Sequence, residues 1–454
     1  MTTCSPGATR DRPADHALPG CTRATALSKT LHATRTIVEQ GRVVQAGGTV
    51  LRATGLRARI GQQCRIVDED SPLIAEVIGF AGAEVILAPY GALQGVAVGA
   101  AVQALADEAR VPCGAALLGR VIDAFGRPLD GRPLDDAALR STPLHADAPS
   151  PLQRRGVDEP LATGVRAIDA ALTVGIGQRV GIFAMAGGGK STLLGMLARQ
   201  ARADVNVIAL VGERGREVRE FLDDSLGAEG LARSVVVVST SERPALERVR
   251  AAHAATAIAE GFRAEGRRVL LLVDSVTRFA RGLRELGLSA LEPPVRRGFP
   301  PSVFAELPRL FERAGNDAHG SITAFYTVLA EDEDNTDPVA EEVRSILDGH
   351  IVLSRRLAQA HHYPAIDLLG STSRVFTRVA GEAHRDAAAK LRALLARHAE
   401  VEFLLRVGEY QAGSDPLADA AIERMPAMRA LLTQGAEEAS TFDETVARLQ
   451  EVVS

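Results

Sequence analysis

Residues 184–192 read Ala184-Met185-Ala186-Gly187-Gly188-Gly189-Lys190-Ser191-Thr192, between the apolar run Val180-Gly181-Ile182-Phe183 and the helically spaced Leu193-Leu194-Gly195-Met196-Leu197. A strand, a glycine-rich turn and a helix in that order make a phosphate cradle. The glycines let backbone N–H groups converge on phosphate oxygens, and the helix N-terminus adds its positive end. Lys190 is spaced to reach the outer phosphates and the Ser191 hydroxyl to ligate magnesium. Alanine stands at 184, where the strict pattern has glycine; it is small enough to keep the turn, and Gly189-Lys190-Ser191 is intact. The stretch predicts a chain that binds a nucleoside triphosphate through Ala186, Gly187, Gly188, Gly189, Lys190, Ser191 and Thr192.

Around this loop, to about residue 376, apolar runs alternate with helical segments. Val205–Val211, Val235–Ser239, Val269–Asp274, Ile322–Leu329 and Ile351–Ser354 are the strand candidates. Such alternation indicates a mainly parallel sheet covered by helices on both faces. Before it, from about 36 to 104, short alternating runs such as Thr49-Val50-Leu51-Arg52 and Glu84-Val85-Ile86-Leu87 are separated by glycines, which suits a small β-barrel. Leu117-Leu118-Gly119-Arg120-Val121-Ile122-Asp123 through Pro133 reads as a turn-rich connector. From Gly381 onward the chain is helical, as in Ala387–His398 and Asp415–Gln434. Residues 1–35, rich in Thr, Ala, Pro and Arg, read as a mobile tail.

With 454 residues there is room for two or three domains and a sizeable core. A net charge of −5 gives no bulk pointer to nucleic acid. The expectation is a chain without a membrane span or a signal peptide. Cys4, Cys21, Cys64 and Cys113 have no metal-ligand spacing, so free thiols in a reducing cytoplasm are expected.

A second nucleotide signal is Val269-Leu270-Leu271-Leu272-Val273-Asp274, an apolar strand ending in an acid. A buried strand can deliver such a carboxylate beside the phosphate loop, to hold magnesium through water. An ordinary strand-end residue capping the next helix also fits Asp274 alone. Between the motifs lies Gly212-Glu213-Arg214-Gly215-Arg216-Glu217. Glu213 falls just past a strand, on the edge where open α/β sheets bind ligands, and can polarise the water that attacks the γ-phosphate. A solvated charge run fits the same spacing.

These residues resemble a family. The Gly-Glu-Arg segment, the strand ending in Asp274, and Tyr363-Pro364-Ala365-Ile366-Asp367 through Ser371-Thr372-Ser373-Arg374 are similar to the catalytic β subunit of rotary ATP synthases. Gly177-Gln178-Arg179-Val180-Gly181-Ile182-Phe183-Ala184, the stretch Glu292–Phe304, and Asp337-Pro338 through Arg355 look closer to the type III protein-export ATPases. The Ala-Gly-Gly-Gly-Lys-Ser-Thr loop looks more like virulence injectisome members than flagellar ones. Thr372 departs from the export pattern, which usually has an apolar residue there. The resemblance runs from about residue 36 to the C-terminus. It implies an α/β fold with a β-barrel at 36–104, a RecA-like parallel-sheet P-loop domain at 105–376 and a helical domain at 377–454.

By resemblance, Lys190 and Gly187 to Gly189 hold phosphate, Ser191 and Asp274 serve magnesium, and Glu213 is the general base with Arg214 a structural partner beside it. Arg278 matches an arginine near the γ-phosphate, Tyr363 the aromatic stacked on adenine, and Tyr410 the other side of the base. Arg374 matches an arginine that points across a subunit boundary into the neighbour's nucleotide, a placement worth roughly 10³ to 10⁵ in rate. A core tyrosine also fits Tyr363, and a surface arginine fits Arg374. The stretch Leu291 to Phe304, with four prolines and Arg296 and Arg297, is expected to be a stiff loop facing a central pore or packing within the fold.

The implied activity is magnesium-dependent ATP hydrolysis by a homohexamer on the cytoplasmic face of the inner-membrane export apparatus. It would release chaperones and unfold substrates for type III secretion. Implied partners are a central stalk protein, a peripheral stator or regulator, chaperone–effector complexes and the membrane periphery, with no nucleic acid. Three rivals stand beside it. A ring-shaped RNA translocase would need stacked aromatics in its barrel, and residues 36–104 hold only Phe80 and Tyr90. A non-catalytic rotary subunit is opposed by Glu213 beside an intact Lys190. A flagellar export ATPase would share the chemistry and differ in partners.

Overall fold

The computed structural model describes residues 40–67, 72–105, 108–185, 187–329 and 337–454. The expected tail at 1–35, Cys4, Cys21 and the loop residue Ala186 lie outside the described residues.

Period-two alternation builds the first unit. Strands β1 (Gln40–Gly47), β2 (Val50–Thr54), β3 (Gln63–Val67), β4 (Leu73–Ala81), β5 (Glu84–Pro89) and β6 (Ala101–Ala104) close in the order β1-β2-β5-β4-β3-β6, antiparallel throughout. Along β3, Cys64 and Ile66 are buried and the residues between them are not. With Val43, Leu51, Ala53, Val77, Leu87 and Val102 they fill the barrel. Tyr90, just past β5, turns out of this core. Its hydroxyl donates to Glu76 at 2.5 Å and its ring meets Phe125 edge-on at 4.9 Å, with the Arg250 guanidinium 4.8 Å from the Phe125 ring. The barrel's buried aromatic is therefore spent on docking against the central domain.

That domain is a nine-stranded sheet. Its strands are β7 (Arg120–Asp123), β8 (Arg179–Ala184), β9 (Val205–Glu213), β10 (Ser234–Thr240), β11 (Arg268–Asp274), β12 (Ser321–Leu329), β13 (Gly349–Leu353) and β14 (Ile366–Ser373), with Gly315–Asn316 paired beside β12. They lie in the order β14-β13-β8-β12-β11-β9-β10-β7. The pairs from β13 to β7 are parallel, and β14 joins β13 antiparallel.

The longer helices are α1 (Lys190–Gln200), α2 (Ala245–Ala264), α3 (Val276–Ser289), α4 (Pro301–Glu312), α5 (Glu382–Val407), α6 (Pro416–Leu432) and α7 (Phe442–Val453). Both sheet faces are covered, so all nine residues of β9 are buried. Val207, Ala209 and Val211 join the core against α2, α3 and α4, while Ile208 and Leu210 join the core against α1 and α5 to α7. Caps set the last helices. Asp415 accepts from the Leu417 and Ala418 N–H groups ahead of Pro416, and Thr441 and Glu444 form a capping box. Among the described residues no helix is long and apolar enough to cross a membrane.

Three expectations are corrected. The connector from Leu117 contains β7, because Val121 and Ile122 pair with β10 at the sheet edge. The segment Ile366–Ser373, read as motif and not as strand, adds to β13. The stretch to Phe304 is not loop throughout: Pro301 opens α4, where its fixed φ and missing N–H suit the first helical position.

Candidate active site

The phosphate loop joins the end of β8 to the start of α1, at the C-terminal edge of the parallel strands. Gly187 and Gly189 have φ of 79° and 81°, left-handed values that favour glycine. Ser191 and Thr192 follow in the first turn of α1 and are exposed, so the Ser191 hydroxyl stands open at the helix start. The Tyr363 ring lies over the loop, its Cε1 3.5 Å from where a Cβ on Gly189 would stand. Tyr363 is 38% exposed, and its carbonyl accepts from Gln434 N at 2.8 Å.

Lys190 does not stand free. Its ammonium donates to Asp274 Oδ1 at 2.6 Å and reaches Glu213 Oε1 at 3.4 Å. Both carboxylates are buried, at 3% and 7% exposure. Glu213 is aimed by a bulge: the pairing of β9 with β10 slips one residue at Gly212, whose φ is 68°. A Cβ on Gly212 would lie 2.9 Å from Arg278 Cδ, so glycine is also what lets Arg278 close on Glu213. Burial, then the neighbouring Arg281, pulls Arg278 below its ordinary value; a guanidinium stays charged all the same. Two cations thus meet two carboxylates in a half-closed space.

Two threonines that the motifs do not mark complete the arrangement. Thr327, on β12, donates to Asp274 Oδ1 at 2.7 Å and is fully buried. Thr277 accepts from Leu329 N at 2.9 Å, pinning the end of β12 to α3. No local signal separates Thr327 from Ser321, Thr323 and Tyr326, the other hydroxyl residues of β12.

The remaining site candidates make bonds of their own outside this cluster. Arg214 turns to the surface and pairs with Glu217 at 3.2 Å, not with Glu213. The Tyr410 hydroxyl is bonded to Asp419 at 2.9 Å and to the Asp415 carbonyl at 3.3 Å, in the turn between α5 and α6. Arg374 follows β14, which runs antiparallel, so it stands beside Asp348 at the opposite end of the sheet from the phosphate loop. Its exposed guanidinium donates to the Ser345 and Arg344 carbonyls at 3.4 and 3.2 Å. Along β8 the two ends are roughly 16 Å apart, at about 3.3 Å per residue.

Comparison with known proteins follows the same layout. The nucleotide-binding domain of the ATP synthase alpha/beta family matches residues 164–373 and the beta-barrel domain of that family residues 38–106. The T3SS EscN ATPase C-terminal domain matches residues 380–451. The type 3 secretion system ATPase of Xanthomonas euvesicatoria is 54% identical over 414 residues, 91% of this chain and 93% of its own. A flagellum-specific ATP synthase of Pseudomonas aeruginosa is 48% identical over 426 residues, 92% of this chain and 94% of its own. The assembled ATPase EscN in complex with its central stalk EscO, from the enteropathogenic E. coli type III secretion system, superposes with a TM-score of 0.84 at 48% identity, covering 91% of this chain and 100% of that one.

Proposed function

Because the chain belongs to the type 3 secretion system ATPases, we propose that it hydrolyses magnesium-bound ATP at the Lys190, Glu213 and Asp274 site, as a ring of six in which each site is completed by a neighbour. The observation that carries the chemistry is the Lys190 ammonium between two buried carboxylates at the mouth of the glycine loop. An exposed hydroxyl at Ser191 and a buried carboxylate at Asp274 are the oxygen donors magnesium favours. When bound, magnesium would neutralise charge developing on the phosphate oxygens.

The chain's own residues would divide the rest. Gly187 to Gly189 and Thr192 offer backbone N–H groups to phosphate, and Lys190 adds a point charge. Thr327 and Lys190 hold Asp274 in place. Glu213 takes the proton of the attacking water, with Arg278 orienting its carboxylate. Tyr363 stacks on the base. Arg374 lies too far along its own sheet to serve its own phosphates, which supports its action in trans as a charge-stabilising finger. Residues 36–104 would hold the ring together, 105–376 carry the chemistry and 377–454 face partners.

By analogy with EscN, the ring would turn against or around a central stalk in the cytoplasm, at the export apparatus. A stator or regulator, chaperone–effector complexes and the membrane periphery are the further partners of this reading. The loop before α4, with Arg296, is the pore-facing candidate. Glu213→Gln tests the chemistry: ATP binding should be kept while steady-state hydrolysis falls about 10² to 10⁴-fold. Phosphate release close to that of the parent would remove Glu213 as the base.

A further inference from the structure

Gln178 stands immediately before β8, and its side chain is fully buried. Both donors and the oxygen of its amide are bonded. Nε2 donates to the Asp348 carbonyl at 3.0 Å and to Ser373 Oγ at 3.1 Å, and Oε1 accepts from Gly175 N at 2.9 Å. A carbonyl can only accept and a backbone N–H only donate, so the amide has one workable orientation. Ser373 Oγ donates in turn to the Thr173 carbonyl at 3.0 Å. The Asp348 carbonyl also accepts from Arg374 N at 2.9 Å.

The surroundings are shaped to this amide. A Cβ on Gly349 would stand 2.7 Å from the Thr372 carbonyl and 3.1 Å from Gln178 Nε2. The next residue, Arg179, grips the Asp348 carboxylate with its backbone N–H at 3.1 Å and its Nε at 2.9 Å. Gln178 therefore ties Ser373, which precedes Arg374, to Asp348, which holds the Arg374 backbone and is itself anchored by Arg179. Gln178 leads into the strand whose far end is the phosphate loop.

We propose that Gln178 is the positioning residue for Arg374, fixing the end of β14 so that the guanidinium is presented to the neighbouring subunit. The inference rests on the reading of Arg374 as acting across a subunit boundary. Gln178 lies at the far end of β8 from the loop, so its removal should spare nucleotide binding. The loss should appear in turnover alone.

Gln178→Met keeps bulk and removes both donors; Ser373→Ala removes the hydroxyl and leaves the amide. Each should lower kcat about 10²-fold, the scale of a 1 Å misplacement, with KM and titration by a fluorescent ATP analogue unchanged. A merely structural role would not give the next result. Gln178→Met subunits retain Lys190 and Glu213, and Glu213→Gln subunits retain Gln178 and Arg374. When equal amounts exchange freely into head-to-tail rings, about a quarter of boundaries join the two intact halves, and activity should rise well above either parent.

The control mixes Arg374→Ala with Glu213→Gln. Recovery in the control and in the Gln178→Met mixture supports the proposal. Recovery in the control alone places the Gln178 defect inside its own site or fold and overturns it. No recovery in either, with exchange confirmed by labelled subunits, ends the reading of Arg374 in trans and this inference with it. Unchanged kcat in both variants also overturns it. Should Gln178→Met fail to fold, Ser373→Ala is carried through the same mixtures with the same outcomes.

Discussion

Replacing Lys190 with methionine should loosen the central domain before any nucleotide is added. The ammonium lies 2.6 Å from Asp274 and 3.4 Å from Glu213, both buried. Methionine keeps the length and the helix propensity of lysine, so charge is what is lost. Removing one partner of a buried pair costs about 3–5 kcal/mol, because the other charge is left uncompensated. An opposing effect is smaller: a cation in the first turn of α1 works against the helix dipole, and its loss returns about 0.3–1 kcal/mol. Arg278 still neutralises Glu213, so the deficit falls on Asp274, which keeps only the Thr327 hydroxyl among its bonds described above. The balance is a destabilisation of about 2–4 kcal/mol. At about 2 °C per kcal/mol for a domain of this size, melting should fall by about 4–8 °C. Calorimetry of the full chain, with and without magnesium and ATP, reads both consequences. The parent should gain stability from the nucleotide by mass action, and the variant should not. A variant that melts with the parent in the absence of nucleotide would refute the argument from buried charge.

Thr327→Val removes a buried hydroxyl bonded to a carboxylate, a loss of about 1.5–3 kcal/mol; the magnesium concentration needed for half-maximal turnover should rise, and an unchanged magnesium titration would detach Thr327 from the metal's acid. Tyr363→Ala should weaken ATP binding by about 1–3 kcal/mol, the worth of one base–aromatic stack, and leave inorganic tripolyphosphate binding alone; equal losses for both ligands would place Tyr363 at the phosphates instead. His253 is 3% exposed, and burial, then His145, Arg313 and Arg250, hold its pKa well below the ordinary value, outweighing Glu306 at 3.5 Å. A depressed folded value means stability is present above about pH 6.5 and lost as pH falls, by up to about 1.4 kcal/mol per pH unit. Melting of the parent between neutral and mildly acid pH should therefore drop more steeply than that of His253→Gln, and parallel curves would count against this group.

The parts of the site that could be read in the sequence are those whose chemistry is contiguous. Gly187 to Ser191 form a local structure, and Val269–Asp274 and Val205–Glu213 announce themselves as buried strands with an acid at the end. Thr327 was not legible, because its role depends on β12 lying beside β11, and neighbour order in a parallel sheet is set by crossovers that no local period records. The direction of Arg214 was hidden for a related reason: it caps the short helix Gly215–Glu220, and the pull of Glu217 one turn on decides where it points. At the sheet edges β7 and β14 were missed because edge strands carry less of the continuous apolar signal that betrays β9 or β11. Proline misled at Pro301, since the residue that stiffens a loop is also well suited to open a helix.

The phosphate loop and Arg374 occupy opposite ends of one sheet, and this gives the subunit a polarity like that of a hook and an eye. On the proposal that Arg374 completes a neighbour's site, a single copy has both and can join neither to itself. In an open string of such units, the last eye is always unfilled. A pair has one working site of two, longer strings lose proportionately less, and only closure fills every one. Specific activity should thus climb with the length of the assembly, even if each boundary is chemically the same, so dilution would silence the enzyme by shortening strings before it weakens any site. The growth curve itself then counts subunits: its plateau marks the number at which the string meets its own beginning.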